Sequence, residues 1–438
     1  MPPVSERTAW SRLGRPRTLW TVMSANTASV PARPVSPGDA LRPRARTAVV
    51  VILGLLVALG PFTTDLYLPA FPAVQAAFAT SDVAIQLTLS ATVIGFALGQ
   101  LVVGPLSDRF GRRVPLLVAT SLHVLACLGA AMAPSIGVLA ALRLLQGIGA
   151  AGGGVVASAM VRDLFHGHRL VRTLANMGLV IGAAPILAPL IGSQLLAVLD
   201  WRGLFVCLAI YGAAALVLAS VGIGETRTTT ARASSVHATA RARYRAVLRD
   251  PVFVGAAIVG AMQGAGLFAY LAVSPFLLQG TYGLSPQQYG FVFASNSVGV
   301  VLGAQLAARV MRRIGPQWIL VGTISAQLLS AVALLTTMLY PAPLVAVIVP
   351  LCVFMTACGF TFPCVQVLGL LHHGEEAGTA ASLLGAGNFG LAAIVPLIVG
   401  LLGAAAASSI GIVATIGAVC AAAALLLLVR PRTVPPIA

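Results

Sequence analysis

Long apolar stretches constrain this chain more than any other feature of its sequence. They recur at lengths of about 20 residues, enough for a helix to cross the hydrocarbon core of a bilayer. Backbone N–H and C=O groups cannot be left unpaired in lipid, so helices are the expected form of these segments. The chain is 58% hydrophobic and 9% charged, whereas soluble domains carry about 25% charged residues. The sequence therefore predicts an all-α integral membrane protein.

We predict twelve transmembrane helices, arranged as two six-helix halves. The predicted spans lie near residues 48–70, 85–104, 114–133, 136–161, 172–198, 203–223, 252–279, 288–308, 318–339, 342–370, 377–402 and 407–429. Residues 48–223 then form the N-terminal half and residues 251–430 the C-terminal half. A central loop at 224–250 joins the halves, and tails at 1–47 and 431–438 complete the chain.

Arginine supplies every positive charge of the chain, 27 residues in all, and the net charge is +16. A basic balance can indicate nucleic-acid binding. Here, however, the arginines lie mainly in the N-terminal tail and in every second loop between spans, which is the pattern of the positive-inside rule. We therefore expect both termini and the central loop in the cytoplasm of a bacterial inner membrane. We also expect a disordered N-terminal tail and no nucleic-acid partner.

A weak internal repeat links the two halves. GPLSDRFGRR at 104–113 ends span two, and GAQLAARVMRR at 303–313 ends span eight. Both begin with glycine and finish in a double arginine, but the second copy has lost the aspartate. Parallel halves related by an axis along the membrane normal produce such a repeat, so we expect pseudo-two-fold symmetry.

Charged side chains at membrane depth are rare here, and each is a functional candidate because such burial is costly. Asp65 lies in span one and Arg143 in span four. At a rise of about 1.5 Å per residue, both fall in the outer half of the membrane, where they can pair or share a water-filled cavity. We expect Asp65 to bind a proton or a cationic substrate in turn. The alternative is that Asp65 faces the headgroups or caps a break in span one.

A second charged group lies at the cytoplasmic end of span two. Asp108 precedes Arg112 by four residues, a spacing that allows a local ion pair on a helix, and its carboxylate can also meet the N-terminus of a neighbouring helix. Such contacts would hold one side of a transporter shut, whereas the alternative is a solvated loop. The predicted gating residues are Gly104, Asp108, Arg109, Gly111, Arg112 and Arg113.

Proline and glycine mark span five. Pro185 and Pro189 remove backbone donors and bend the helix, and Gly192 allows close packing. This predicts a hinge, unless these residues serve packing alone. Polar and aromatic side chains elsewhere are candidates for lining a mostly apolar substrate cavity, although each can instead form hydrogen bonds between helices. The cavity candidates are Tyr67, Gln146, Gln263, Tyr270, Phe276, Asn296 and Asn388.

Neither a metal centre nor a nucleotide site is indicated by the sequence. The six cysteines lie in apolar runs without a CxxC pair, and HHGEE at 372–376 lacks the HExxH spacing. A Walker A sequence is missing, so ATP does not drive this chain by itself. We expect no catalytic residues, no metal and no cofactor, with energy taken from an ion gradient or from the substrate's own gradient.

Several motifs resemble those of the major facilitator superfamily. GPLSDRFGRR looks like its loop motif between spans two and three, and RLLQG at 143–147 resembles the span-four motif of its drug:proton antiporters. APLIGS at 188–193 resembles their span-five motif, with Ala188 and Ser193 replacing glycines. TTDLYLPAFP, MVRDLF and SPFLLQGTYGLSPQQYGFVF look further like the bicyclomycin/chloramphenicol resistance (Bcr/CflA) multidrug efflux family.

The resemblance covers about residues 48–430 and implies a monomer in membrane lipid that exports chemically diverse small drugs in exchange for protons. It implies that Asp65 is the coupling acid, Arg143 the span-four arginine, and Asp108 with Arg112 the gating pair. We expect alternating access between the halves. An exporter of a native metabolite, such as an amino acid, peptide or sugar, is the alternative. A membrane-embedded enzyme or sensor is disfavoured because the sequence offers no catalytic constellation and no soluble domain.

Overall fold

A computed structural model describes residues 42–226, 240–337, 342–373, 377–402 and 407–434, together with Gly38. Most of the predicted N-terminal tail and the middle of the predicted central loop lie outside these residues. In the described ranges the chain folds into helices and contains no strand. Twelve of these helices are long and apolar enough to cross a membrane, which confirms the predicted fold class and number of spans.

The spans follow one another in an up-and-down order. They are Pro43–Phe78, Asp82–Phe110, Arg113–Ala131, Ile136–Leu164, Gly167–Leu195, Trp201–Gly222, Pro251–Thr281, Pro286–Ile314, Pro316–Thr336, Leu344–Leu370, Leu383–Leu402 and Ser408–Val429. The arginine clusters that follow spans two, four and eight lie on one side of the bundle, which we call the arginine-rich side. The side of the bundle where spans two, four, six and eight begin is called the opposite side.

Span one contains a break that its prolines impose. The first α-helix runs from Pro43 to Asp65. It ends there because Pro69 lacks an N–H and its ring clashes with the carbonyl of Asp65, four residues earlier. A 3₁₀ turn over Leu68–Ala70 follows, and a second α-helix covers Phe71–Phe78. The predicted end of this span near residue 70 is therefore too early.

Side-chain caps fix where several spans start on the opposite side. Ser81 and Ser135 accept hydrogen bonds from backbone N–H groups three residues later, at the starts of spans two and four. Asp200 does the same for span six. Ser285 and Gln288 form a capping box at the start of span eight. These contacts satisfy N–H groups that a helix start leaves without a partner.

The predicted central loop contains a helix, Ala240–Arg249. Hydropathy does not reveal it, because it is short and carries four arginines among ten residues. Val247 is fully buried, whereas Arg245, Leu248 and Arg249 are exposed. The segment is therefore an amphipathic helix against the arginine-rich end of the second half, where it contacts spans seven and eleven.

The two halves meet on the opposite side of the bundle. Gln279 at the end of span seven donates a hydrogen bond from Nε2 to the carbonyl of Pro69, at 3.1 Å. Gln287 at the start of span eight donates from Nε2 to the carbonyl of Ser193, at 3.0 Å. Span two packs on span eleven and span five on span eight along the same boundary. These contacts close the bundle at this end.

Asp250 joins two spans at the arginine-rich end of the second half. Its Oδ1 accepts the Val252 N–H and caps span seven. Its Oδ2 contacts Nδ1 of His372 at 3.0 Å and Nε2 of His373 at 3.1 Å, just beyond span ten. Burial acts to raise the pKa of Asp250, but the hydrogen bonds from His372 and Val252 outweigh it, so this pKa lies below its usual value.

Asp250→Ala is expected to lower the free energy of unfolding by about 1 kcal/mol, because the helix loses its cap. Asp250→Asn keeps a capping oxygen and serves as the matched control. Because the pKa is lowered in the folded protein, the charged form stabilises at neutral pH, and this contribution disappears as the pH falls from about 4 downwards. Thermal unfolding of the purified variants at several pH values measures both effects. Equal melting temperatures for Ala and Asn would show that the cap contributes nothing.

Candidate functional site

A cavity of about 730 Å³ lies between the two halves. Pro61, Thr64 and Asp65 of span one bound it, and it continues along span four to Ser158 and Arg162 near the arginine-rich end. Since the halves meet on the opposite side, the cavity opens toward the arginine-rich side. Its volume lies within the range of about 300–1,000 Å³ that small-molecule sites occupy.

The wall of this cavity is mostly aromatic and aliphatic. Both halves contribute, and the second half supplies most of the large side chains. The aromatic lining residues are Phe96, Phe268, Phe293, Phe362 and Phe389. A wall of this kind offers dispersion and hydrophobic contact to many ligand shapes but few fixed hydrogen bonds.

Asp65 is the acidic residue among the described residues that line the cavity. It lies at the end of the first helix of span one and is only 5% exposed. The Thr64 hydroxyl donates a hydrogen bond to its Oδ1 at 2.8 Å. A carboxylate in such apolar surroundings is costly to keep charged without a counter-ion. It is therefore a site at which a proton or a cationic group can bind.

Arg143 of span four is fully buried beside the break in span one. Its Nη1 donates to the carbonyl of Thr63 at 2.9 Å and to Oε1 of Gln146 at 2.6 Å. Its guanidinium carbon lies 4.7 Å from the centre of the Tyr67 ring and 5.7 Å from that of Phe205. The last carbonyls of a helix have no partner within the helix and carry a partial negative charge. Arg143 therefore stabilises the helix end that carries Asp65.

Asp65 and Arg143 neither pair nor share the cavity, the two possibilities that the sequence left open. No hydrogen bond or ion pair joins them among the described residues, and Arg143 does not line the cavity. Both residues lie beside the same break in span one. However, Thr63 and Asp65 are two residues apart, so they lie on nearly opposite sides of the helix. Arg143 acts on one side and the cavity lies on the other.

Two other residues of the RLLQG segment hold span four in place. The Gln146 side chain donates a hydrogen bond from Nε2 to Sγ of Cys127 at 2.9 Å. The backbone carbonyl of Gln146 contacts Nδ1 of His123 at 3.3 Å. A methyl group at Gly147 would overlap the carbonyl oxygen of Thr92 in span two. The segment therefore combines a buried polar network with a close helix crossing.

The predicted gating residues form a charge cluster within the first half. Arg112 contacts Asp108 at 2.7 Å and Asp163, near the end of span four, at 2.9 Å. Its backbone N–H donates to Oε1 of Glu225 at 2.8 Å. Arg113 donates from Nη2 to the carbonyl of Ser220 at 2.7 Å.

Asp163 and Glu225 were missed in the sequence, because they lie 51 and 113 residues from Arg112. The carboxylate that meets the N-terminus of span three belongs to Glu225 and not to Asp108. The helix dipole makes a helix N-terminus a favourable position for negative charge. Gly111 has a φ of 93°, which side chains other than glycine rarely adopt. Arg109 lies over the Phe110 ring, and Gly104 faces Val155 of span four.

The predicted hinge residues of span five lie at boundaries with other spans. Pro185 lines the cavity, and its carbonyl accepts a hydrogen bond from the Ser297 hydroxyl of span eight. Pro189 is buried near Gly290 of span eight. A methyl group at Gly192 would overlap the carbonyl oxygen of Leu66, one residue after Asp65. Span five thus touches both the second half and the break in span one.

The seven predicted cavity candidates do not line this cavity, which favours their alternative role in contacts between helices. Tyr67 and Gln146 contact Arg143 on the far side of span one. Tyr270 accepts a hydrogen bond from Nδ2 of Asn296 at 2.9 Å. Polar side chains in lipid-embedded helices find partners on neighbouring helices, and these have done so.

The remaining three candidates also lie at contacts between helices. Gln263 accepts a hydrogen bond from Nε2 of Gln327. Asn388 lies against the span-seven backbone near Gly264, and the Phe276 ring is 5.9 Å from that of Phe71. The lining was instead signalled by helical spacing of apolar residues, such as Phe293, Val300 and Val301 of span eight.

Comparisons with known proteins bear on the chain as a whole. A family model described as Major Facilitator Superfamily matches residues 51–396. The chain is 34% identical over 360 residues to the uncharacterized MFS-type transporter YdgK of Bacillus subtilis, covering 81% of this chain and 89% of that one. It is 28% identical over 346 residues to the bicyclomycin resistance protein homolog of Haemophilus influenzae, covering 79% and 87%.

A solved structure supports the same fold. The chain superposes on a bacterial homolog of the human lysosomal transporter Spinster, in an inward-facing and unoccupied conformation, with a TM-score of 0.70. The identity is 16%, and the match covers 89% of this chain and 98% of that one. The family model and the two relatives confirm the resemblance seen in the sequence. The chain belongs to the major facilitator superfamily, and it is a multi-pass membrane transporter of the bacterial inner membrane rather than an enzyme.

Proposed function

We propose that this protein is a secondary active multidrug exporter that exchanges drug-like small molecules for protons. The observation that carries the proposal is the cavity itself, a largely aromatic chamber of about 730 Å³ with the Asp65 carboxylate in its wall. The apolar wall accepts varied shapes, and the carboxylate supplies a site for a proton. The name of the Haemophilus relative, a bicyclomycin resistance protein homolog, fits such a role.

The proposed orientation follows from the arginines. We take the arginine-rich side as cytoplasmic, with both termini and the helix Ala240–Arg249 on that side. The cavity then opens to the cytoplasm, where a drug that has crossed the membrane can enter it. We propose a monomer, because one chain contains the cavity and both halves. Transporters of this family need no cofactor, and the proton gradient is the proposed energy source.

Asp65 is the proposed proton carrier. It lies at the point where span one breaks, and its neighbours Leu66 and Tyr67 contact span five and Arg143. Protonation removes a buried charge from the cavity wall, whereas drug entry favours loss of that proton. Arg143 is a positioning residue, because it holds the helix end rather than touching the cavity.

Alternating access is proposed to work through the two ends of the bundle. On the opposite side the halves are held by the hydrogen bonds of Gln279 and Gln287, and these would have to separate for outward release. On the arginine-rich side, the cluster around Arg112 ties spans two, three and four into one unit. That unit can move as a rigid body against the second half.

Asp65→Asn is expected to abolish export driven by a pH gradient while leaving binding of a neutral drug intact. The amide cannot carry a proton, but it fills the same space beside Thr64. The measurement is drug flux in proteoliposomes with an imposed pH gradient, alongside equilibrium drug binding. Asp200→Asn is the matched control, since Asp200 is exposed and an asparagine caps span six equally well. Gradient-driven flux equal to that of the unmodified protein would refute the role of Asp65.

Phe268→Ala is expected to raise KM for a bulky aromatic drug by on the order of tenfold, equivalent to about 1.4 kcal/mol. Phe268 lines the cavity, so its removal takes away ligand contact without touching Asp65. Phe291→Ala is the matched control, because that ring is 63% exposed on the outer surface of span eight. The same change in KM for both variants would place the drug outside this cavity.

Export of a native metabolite is the alternative function. A metabolite such as an amino acid, peptide or sugar needs several fixed hydrogen-bonding groups. The cavity offers few, among them Gln100, Ser158 and Ser297. Counterflow assays in proteoliposomes with aromatic drugs and with amino acids, peptides and sugars separate the two. Transport of a polar metabolite in preference to every drug would favour the alternative.

A further inference from the structure

A second groove lies on the outer face of span one, away from the central cavity. It consists of two adjoining cavities of about 610 Å³ and 460 Å³, which share Leu55 and Val180 in their walls. On span one the groove uses Val50, Gly54, Ala58 and Phe62, whereas the central cavity uses Val57, Pro61 and Thr64. These two sets occupy different faces of the same helix.

The packing of three helices explains why a groove exists here. Spans five and six both pack on span one but barely touch each other. Span one therefore forms the floor, and the sides are formed by residues such as Leu187 of span five and Tyr211 of span six. Leu187 is 47% exposed at the outer surface of the bundle, so the groove faces lipid.

The two ends of the groove differ in chemistry. Arg46, Arg169 and Arg172 line its end on the arginine-rich side. The other end is apolar, with residues such as Phe62, Leu187 and Ile191. Positive charge at the membrane surface followed by an apolar channel matches a phospholipid with an anionic headgroup.

The length of the groove also fits a lipid chain. The apolar lining residues of span one extend from Val50 to Leu66. A separation of sixteen residues corresponds to about 24 Å along a helix. One leaflet contributes about 15 Å of the hydrocarbon core. An acyl chain from the leaflet on the arginine-rich side can therefore lie wholly within the groove, with its headgroup at the three arginines.

We propose that this groove is a binding site for an anionic phospholipid of the leaflet on the arginine-rich side. The phosphate and any further anionic group contact Arg46, Arg169 and Arg172. The acyl chains lie between spans five and six, over Leu55 and Ala58. The lipid thereby fills the space between these two spans, which barely touch each other.

The test is lipid binding by the purified full chain, measured by native mass spectrometry and by thermal shift. The probes are phosphatidylglycerol and phosphatidylcholine with identical acyl chains. We expect one tightly held phosphatidylglycerol, and binding on the order of tenfold to a hundredfold weaker in the triple variant R46Q/R169Q/R172Q. The matched control R44Q/R245Q/R249Q removes the same charge from exposed positions outside the groove and should bind as before.

The apolar end is tested without any change in charge. Ala183→Trp fills the groove, and Leu187→Trp does so from a more exposed position that tolerates a large side chain. At least one of these folded variants should lose the bound phosphatidylglycerol. Equal weakening by both triple variants, equal binding of both lipids, or displacement by inorganic phosphate alone would overturn the proposal. So would full retention in both tryptophan variants.

Discussion

The contact between Arg143 and the carbonyl of Thr63 is the interaction on which the rest of the site depends. Pro69 ends the helix of span one at Asp65, which leaves backbone carbonyls unpaired at membrane depth. A guanidinium supplies both the missing donors and a charge that suits a helix C-terminus. In return, the rings of Tyr67 and Phe205 and the amide of Gln146 surround the buried charge. Removing Arg143 would leave the Thr63 carbonyl and the Gln146 amide oxygen without this donor, a loss of about 1–3 kcal/mol for each group.

The two halves share a packing scheme but not a charge scheme. Spans two and four cross closely at Gly147 against Thr92, and spans eight and ten repeat this crossing at Gly359 against the carbonyl of Val300. In the second half, neutral pairs such as Gln263 with Gln327 occupy the interior instead of ions. A charge needs partners on every side, whereas a neutral pair is satisfied locally. This favours proton coupling in the first half and an adaptable ligand wall in the second.

Hydropathy and loop charge were enough to predict the span number and fold class, because lipid leaves the backbone no alternative to helices. They were not enough to predict the helix Ala240–Arg249, whose stability comes from contact with the second half rather than from its own sequence. Asp65 could be singled out because an acid at membrane depth is rare. The cavity wall could not be singled out, since polar candidates such as Asn296 and Tyr270 take the alternative role and hydrogen-bond to each other. The position of a residue along a span can be estimated from the sequence. Which side of the helix faces the cavity depends on how the neighbouring helices pack.

Span one is the element that both sites share. One face carries Thr64 and Asp65 into the central cavity, and another forms the floor of the lipid-facing groove. Span five is shared in the same way, with Pro185 at the cavity and Leu187 at the groove. Anything that fixes the spacing of these two helices therefore acts on both faces at once, because close-packed helices transmit displacement. An occupant of the groove would bear on the geometry around Asp65 without touching the transported molecule.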